Sequence, residues 1–197
     1  MSEYKILFDR NIARVNSLCN LYKSLKNSSV KEGQDYKFTD LLRSAVVMLH
    51  SSFEEYFRSV LRERLPIVCD EKTLNSFSFA GSEGRHMEKI RLSDLQKYKG
   101  YTVDDLIVNS ISEGLDSTSF NNCLDISSWA GKAKINLSGF TKQDKIEQLI
   151  SRRHKIVHEA DNGKTDSDYK LSSITLTTVL EWVNIEIELV ETIERSL

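Results

Sequence analysis

The sequence contains little proline and few cysteines. Of its 197 residues, one is proline, eight are glycine and three are cysteine. A single proline fits a mostly helical chain, because proline interrupts the interior of a helix. Cys19, Cys69 and Cys123 are odd in number, lie far apart and form no CxxC pair. They indicate no disulfide framework, and we expect reduced thiols in a cytoplasmic protein.

Long apolar runs and an excess of either charge are also missing. No segment approaches the roughly 18 apolar residues of a membrane span. The first ten residues, MSEYKILFDR, contain an early acid and lack the apolar core of a signal peptide. With 27 basic and 29 acidic residues, the formal net charge is -2. This balance excludes a globally basic nucleic-acid-binding protein, so any contact with a polyanion must come from a local patch.

Apolar residues recur at helical spacing in four segments. The first two series are Phe8, Ile12, Val15, Cys19, Tyr22, and Leu42, Ala45, Leu49, Phe53, Tyr56, Val60. The last two are Ile146, Leu149, Ile150, Ile156, Val157, and Leu176, Leu180, Val183, Ile187, Val190. They predict an all-α bundle of four long helices, with residues 67–140 as an insertion of short helices and loops. We expect one domain over residues 1–197.

Several residues are typical of helix ends. Pro66 is expected to end the second helix, because proline lacks the amide hydrogen. Thr39 or Asp40 is expected to cap its start, and Thr102 the start of a helix in the insertion. Thr141 with Asp144 resembles a capping box for the third helix. That helix is expected to stop by Gly163, and the last helix to begin near Ser172 or Ser173.

The densest polar cluster lies on the third long helix, in the segment LISRRHKIVHE. Arg152, Arg153, His154 and Lys155 are consecutive, and His158 follows. At about 100° per residue, His154 and His158 share one face, whereas Arg153 and His158 point about 140° apart. Arg153 and His158 can therefore meet on one substrate only through the long arginine arm, a frayed helix end or a second subunit.

These residue types suit phosphate chemistry on single-stranded RNA. Histidine titrates near neutrality and serves as acid or base. Arginine stays cationic and holds phosphate oxygens in a planar fork. Two other interpretations remain open. The cluster is also consistent with a solvated basic helix end, or with a two-histidine metal site whose nearest third ligand is Glu159.

The segment LISRRHKIVHEAD resembles the signature of the HEPN superfamily, in which an arginine is followed by an apolar pair and a histidine. Here these positions are Arg153 and His158. In the second helix, Phe53-Glu54-Glu55-Tyr56 resembles the acid-bearing segment of the branch related to RiboL-PSP, with Glu54 as the best match. The resemblance covers about residues 1–65 and 140–197.

This resemblance implies a function. HEPN domains are all-α bundles that commonly form homodimers with the motif helices facing each other. Many are metal-independent endoribonucleases of toxin–antitoxin or antiphage systems, and others are inactive modules that bind RNA or a partner protein. We therefore expect 2′-hydroxyl attack that leaves a 2′,3′-cyclic phosphate, no cofactor and no metal, and an antitoxin or defence-system protein as a partner.

The resemblance also implies residue roles. Arg153 would stabilise phosphate charge, His158 would act as base or acid, and His154 and Glu54 would assist them.

Four further residues are predicted to contact RNA, namely Arg152, Lys155, Arg43 and His50. Arg43, His50 and Glu54 lie within about 40° of one another on the second helix and form a polar seam. A solvated helix face with a His–Glu pair one turn apart is the alternative interpretation of this seam.

Overall fold

Helices make up nearly all of the regular structure. A computed structural model describes residues 2–28, 38–81, 92–163 and 170–197. The elements in chain order are α1 Glu3–Ser28, α2 Thr39–Val68, α3 Glu71–Leu74, a 3-10 helix Asp94–Tyr98, α4 Val103–Asp116, α5 Cys123–Lys132, α6 Gln143–Glu159, β1 Asn162–Gly163, β2 Lys170–Leu171 and α7 Leu176–Glu194. The two-residue strands pair with each other in antiparallel orientation. The predicted all-α class and the four long helices are confirmed. Within the described ranges, no helix has both the length and the apolarity to cross a membrane.

The two N-terminal helices form because each buries one continuous apolar side. Every residue of the two predicted series in α1 and α2 is buried. Helix α2 is the central element, since α1, α4, α5, α6 and α7 all pack on it. Side chains on several sides of α2 are therefore enclosed by neighbouring helices.

The prediction that Pro66 ends α2 is wrong by two residues. The helix continues to Val68, and the amide of Cys69 still donates to the Leu65 carbonyl at 3.1 Å. A proline removes one donor from the ladder. In the last turn few helical bonds remain to be disrupted, so the helix continues through it.

Most of the predicted helix caps are also wrong. The cap positions of α2 and α6 are Phe38 and Lys142, and neither makes a side-chain capping bond. Thr175, rather than Ser172 or Ser173, caps α7. A capping side chain contributes only about 1 kcal/mol, so the packing of a long apolar face decides where such helices begin.

The middle of the chain, residues 67–140, contributes the short helices. Thr102 caps α4 as predicted, in a capping box with Asp105. The weak helical pattern that the sequence has over 86–98 lies partly outside the described residues, and its last five residues form the 3-10 helix.

One arginine attaches this middle region to α2. Arg58 donates from Nε to the Leu115 carbonyl at 3.0 Å and from Nη2 to the Thr118 carbonyl at 3.1 Å. Next to it, Phe57 and Phe120 pack edge to face with ring centroids 5.0 Å apart. These contacts fix the connection between α4 and α5 beside the middle of α2.

Helix α7 buries a different face from the predicted one. Val183 and Val190 are buried as expected, but Leu180 is exposed and Ile187 is only half-buried. Glu186 takes the place of Ile187 on the buried side. Because α7 packs against α1, α2 and α6, it buries a wide face, and one of the residues on this face is acidic.

Candidate active site

Helix α6 presents two histidines to solvent near its C-terminal end. His154 and His158 are exposed, and their ring centroids lie 4.6 Å apart. Lys155 is exposed beside them. His158 lies in the last turn, where the negative end of the helix dipole favours cationic side chains. This face therefore offers two acid–base groups and local positive charge to a ligand.

An adjacent side of α6, about 100° around the helix from the two histidines, faces the bundle. Ile146, Leu149 and Ile150 are buried there. The prediction that Val157 also belongs to this apolar side is wrong, since it is 46% exposed. The last turn of α6 leaves its apolar side chain uncovered, close in sequence to the exposed histidines.

Arg153 points from α6 towards α2. Its Nη2 lies 4.0 Å from Oε2 of Glu54, and the two side chains are only 23% and 13% exposed. The other Glu54 oxygen, Oε1, accepts a hydrogen bond from the Phe120 amide at 3.3 Å. The structure therefore brings together the arginine and the acid that the sequence singles out. The neighbouring Glu55 instead pairs with arginines at the surface.

Arg153 and His158 are not brought together within one chain. Five residues apart on a regular helix, they project about 140° from each other. Arg153 is held against α2, whereas His158 is in solvent. A single copy of the chain therefore presents the two halves of the motif on different sides of α6.

The end of α6 has an unusual backbone. The helix ends at Glu159, and Ala160 and Asp161 follow with φ of 48° and 56°. The helix therefore stops before Gly163, as expected, but glycine does not form its end. The amides of both left-handed residues donate to the Lys155 carbonyl, which closes the helix without glycine.

Asp161 lies at the centre of a buried ionic cluster, which we call the Asp161 clamp and define as Asp161, Arg43, Arg152 and Ser172. Oδ2 of Asp161 accepts from Nε of Arg43 at 2.6 Å and from Nη2 of Arg152 at 2.8 Å. Both arginines also donate to the Ser172 carbonyl at 2.9 Å. The clamp joins α2, the end of α6 and the segment before α7.

The clamp is well shielded from water. Asp161 is 1% exposed and Arg43 is 7% exposed. Burial lowers the pKa of the Arg152 guanidinium, and the charge of Asp161 opposes this effect. Both buried guanidinium groups depend on the same Asp161 carboxylate for compensation of their charge. The cluster therefore fixes the backbone that follows the motif helix.

The residues predicted to contact RNA therefore divide into two groups. Lys155 is exposed. Arg43 and Arg152 belong to the Asp161 clamp, and His50 is 1% exposed. The alternative of a solvated seam on α2 is wrong in its exposure, because Asp161 after α6 and Glu186 of α7 lie against Arg43 and His50. Its His50–Glu54 pair is present, at 3.9 Å.

Sequence reasoning missed two buried acids, Asp161 and Glu186. Asp161 follows the motif directly, within the segment HEAD, and Glu186 lies between the buried Val183 and Val190 on α7. The signal for Glu186 was an acid at helical spacing within an apolar series.

The two-histidine metal alternative finds no third ligand among the described residues. They contain no group of three or more His, Cys, Asp or Glu side chains placed to hold a metal ion.

In the comparison with protein-family models, residues 9–197 match the family described as RiboL-PSP-HEPN. The match includes both the second helix with Glu54 and the motif helix. Comparisons with curated proteins and with solved structures give no match.

Proposed function

The chain belongs to the RiboL-PSP-HEPN family, whose domains are ribonuclease-like or RNA-binding modules, and from this premise we propose that it is a metal-independent endoribonuclease acting on single-stranded RNA. The observation that carries the proposal is the exposed His154–His158 pair at the end of a motif helix whose Arg153 is held by Glu54. We further propose that it works in a prokaryotic toxin–antitoxin or antiphage system, with an antitoxin or defence protein as its partner.

The chemistry needs a base, an acid and a cation. The base removes the 2′-hydroxyl proton, the 2′ oxygen attacks phosphorus, and the bond from phosphorus to the 5′ oxygen breaks. The acid protonates the departing 5′ oxygen, which leaves a 2′,3′-cyclic phosphate and a 5′-hydroxyl. Histidine at position 158 suits the acid or base step. The Arg153 guanidinium suits the charge that develops on the phosphoryl oxygens.

Two copies of the chain resolve the separation of Arg153 from His158. We propose a homodimer in which the exposed faces of α6 meet across a two-fold axis, so that each motif completes the other. One His158 then acts as the base and the other as the acid. The uncovered Val157 beside these histidines supports this face as the contact.

The buried positions refine the roles of the other residues. We assign Arg43 and Arg152 to holding the end of α6 through Asp161, and Glu54 to holding Arg153. Lys155 and His154 remain the exposed groups available to bind RNA. His50 reaches Glu54 from the interior.

RNA cleavage in excess EDTA tests the proposed activity. Wild type is expected to give cyclic-phosphate ends, and His158→Ala to cleave at least about 100-fold more slowly. Arg62→Ala, which removes an arginine from the surface of α2, is the control and should cleave normally. Circular dichroism must show that all three proteins are folded. A folded wild type that binds RNA without cleaving it would instead favour an inactive RNA-binding module.

Val157→Glu tests the homodimer. The substitution places a charge on the proposed contact at an exposed position, so the fold should survive. We expect a monomer by light scattering and loss of cleavage. Ile67→Glu, at an apolar residue of α2 that is 78% exposed, is the matched control. A Val157→Glu monomer that cleaves as fast as wild type would contradict the shared site.

Expression in a bacterial host tests the proposed biological setting. Wild type is expected to arrest growth, and His158→Ala is expected to be tolerated at the same protein level. Equal growth with both would argue against a toxin.

A further inference from the structure

Glu186 is a carboxylate in the interior of the bundle that the motif chemistry does not use. It lies in the middle of α7 and is 1% exposed, and neither of its oxygens has a hydrogen-bond partner. Burial raises the pKa of this carboxyl group. An isolated buried carboxylate is costly, so its neighbours determine what it does.

The ionisable neighbour of Glu186 on α2 is His50. Oε1 of Glu186 lies 3.7 Å from Nδ1 of the imidazole, and Oε1 of Glu54 lies 3.9 Å from Nε2. Phe53 stacks on the ring, with centroids 6.3 Å apart. One acid therefore faces each nitrogen at a distance longer than a hydrogen bond, an aromatic ring covers one face, and Nδ1 has no hydrogen-bond partner.

Glu54 connects this interior pair to the motif. Its Oε1 faces His50 and accepts from the Phe120 amide, while its Oε2 faces Arg153 at 4.0 Å. We call the series Glu186, His50, Glu54 and Arg153 the Glu186 chain. It runs from α7 through α2 to α6 and alternates acidic with basic groups.

We propose that Glu186 is a positioning residue of the motif: it fixes His50, His50 fixes Glu54, and Glu54 sets the position of the Arg153 guanidinium. The link to RNA cleavage rests on the function proposed above. The geometric coupling from Glu186 to Arg153 is independent of that function, and it can be measured on the protein without RNA.

The coupling has a defined physical route. Without the Glu186 carboxylate, one imidazole nitrogen loses its acidic neighbour, and the ring is free to change tautomer or turn. Glu54 then keeps only the Phe120 amide as a partner of Oε1, and its carboxylate can rotate about that single contact, which moves Oε2 relative to Arg153. In metal sites, groups that orient a ligand side chain contribute about 10-fold to 100-fold to affinity or activity. For the orientation of Arg153 we expect an effect at the lower end, about 10-fold, because the contacts are indirect.

The test compares Glu186→Gln with Glu188→Gln. Both remove an acid from α7, but Glu188 pairs at the surface with Lys142. In Glu186→Gln we expect the NMR signals of the His50 ring and of the Arg153 Nε–H group to move, kcat to fall about 10-fold, and KM to stay within about 2-fold. In Glu188→Gln neither the signals nor kcat should change.

The two readouts separate this inference from the nuclease proposal. If the His50 and Arg153 signals move while wild type cleaves no RNA, the Glu186 chain stands and the nuclease proposal fails. If the Arg153 signal does not move, the inference is overturned, even where cleavage falls. Should Glu186→Gln not fold, Glu186→Met replaces it with a side chain of similar length that needs no buried partner, and the same signals decide.

Discussion

The sharpest prediction about the stability of the chain concerns the Asp161 clamp. Asp161→Asn keeps the shape of the side chain and removes its charge. Asparagine also tolerates left-handed backbone, so the φ of 56° at this position remains accessible. The substitution therefore isolates the loss of the ionic contacts from any strain in the backbone.

The magnitude follows from what the carboxylate holds. Oδ2 accepts from two arginines, at 2.6 and 2.8 Å, in a place where Asp161 is 1% exposed. Removing one member of a buried ion pair costs about 3–5 kcal/mol, because the remaining charge stays buried without a partner. Here two guanidinium groups remain, but the asparagine oxygen still accepts one hydrogen bond. We therefore expect about 3 kcal/mol for asparagine, at the lower end of that range.

Urea and thermal denaturation measure this loss. For a chain of this size, about 3 kcal/mol corresponds to a fall in Tm of roughly 6–12 °C. Asp116→Asn is the control, since Asp116 pairs with Arg62 at the surface and should change stability by less than about 0.5 kcal/mol.

Arg43→Met supplies a second check of the same reasoning. Combined with Asp161→Asn, it removes one of the two uncompensated cations, so the double variant should lose less stability than the sum of the single losses. A loss below about 1 kcal/mol for Asp161→Asn, or strict additivity with Arg43→Met, would refute the assignment of the clamp.

Four further predictions concern other parts of the chain. Ala160→Gly should raise the free energy of unfolding by about 1 kcal/mol in urea, because alanine there has φ of 48°. Gly114→Ala should lower it by about 1–3 kcal/mol, since a new Cβ would lie 2.5 Å from Cδ1 of Phe77. Burial raises the pKa of the Cys123 thiol to about 12. Iodoacetamide should therefore modify it about 30-fold more slowly at neutral pH than in the unfolded chain, a thiolate deficit of about 1000-fold being partly offset by higher nucleophilicity. Burial also raises the pKa of Glu186, so its stability contribution is present below the ordinary carboxyl pKa and is lost as pH rises through the raised value. Glu186→Gln should consequently gain urea resistance over wild type as the pH rises above the ordinary carboxyl pKa, and a constant difference would contradict the sign.

The sequence predicts the parts of the fold that depend on local periodicity. The two apolar series, from Phe8 to Tyr22 in α1 and from Leu42 to Val60 in α2, are buried in full, since an unbroken apolar series at helical spacing forms a stripe that faces the core. Helix ends are different. Pro66 and Ala160 show that a helix can continue past a breaker or stop without glycine when packing and backbone bonds dominate.

The site divides along the same line. Residues 153, 154 and 158 are predictable because they form a local motif, and Glu54 because its segment resembles one. Asp161 and Glu186 are harder to identify, because their structural roles depend on partners more than 100 residues away in the sequence, Arg43 and His50.

The polar seam on α2 nevertheless contained the information needed to expect these acids. Arg43 and His50 lie on a helix whose neighbouring positions form an apolar series. Ionisable groups beside such a series are either at its solvent edge or buried with partners, because an unpaired buried charge is too costly. A helix that proves central to the bundle leaves only the second possibility. Each buried basic group then requires an acid on a segment packed against it. Two acids meet this requirement: Glu186, within the apolar face of α7, and Asp161, directly after the motif helix.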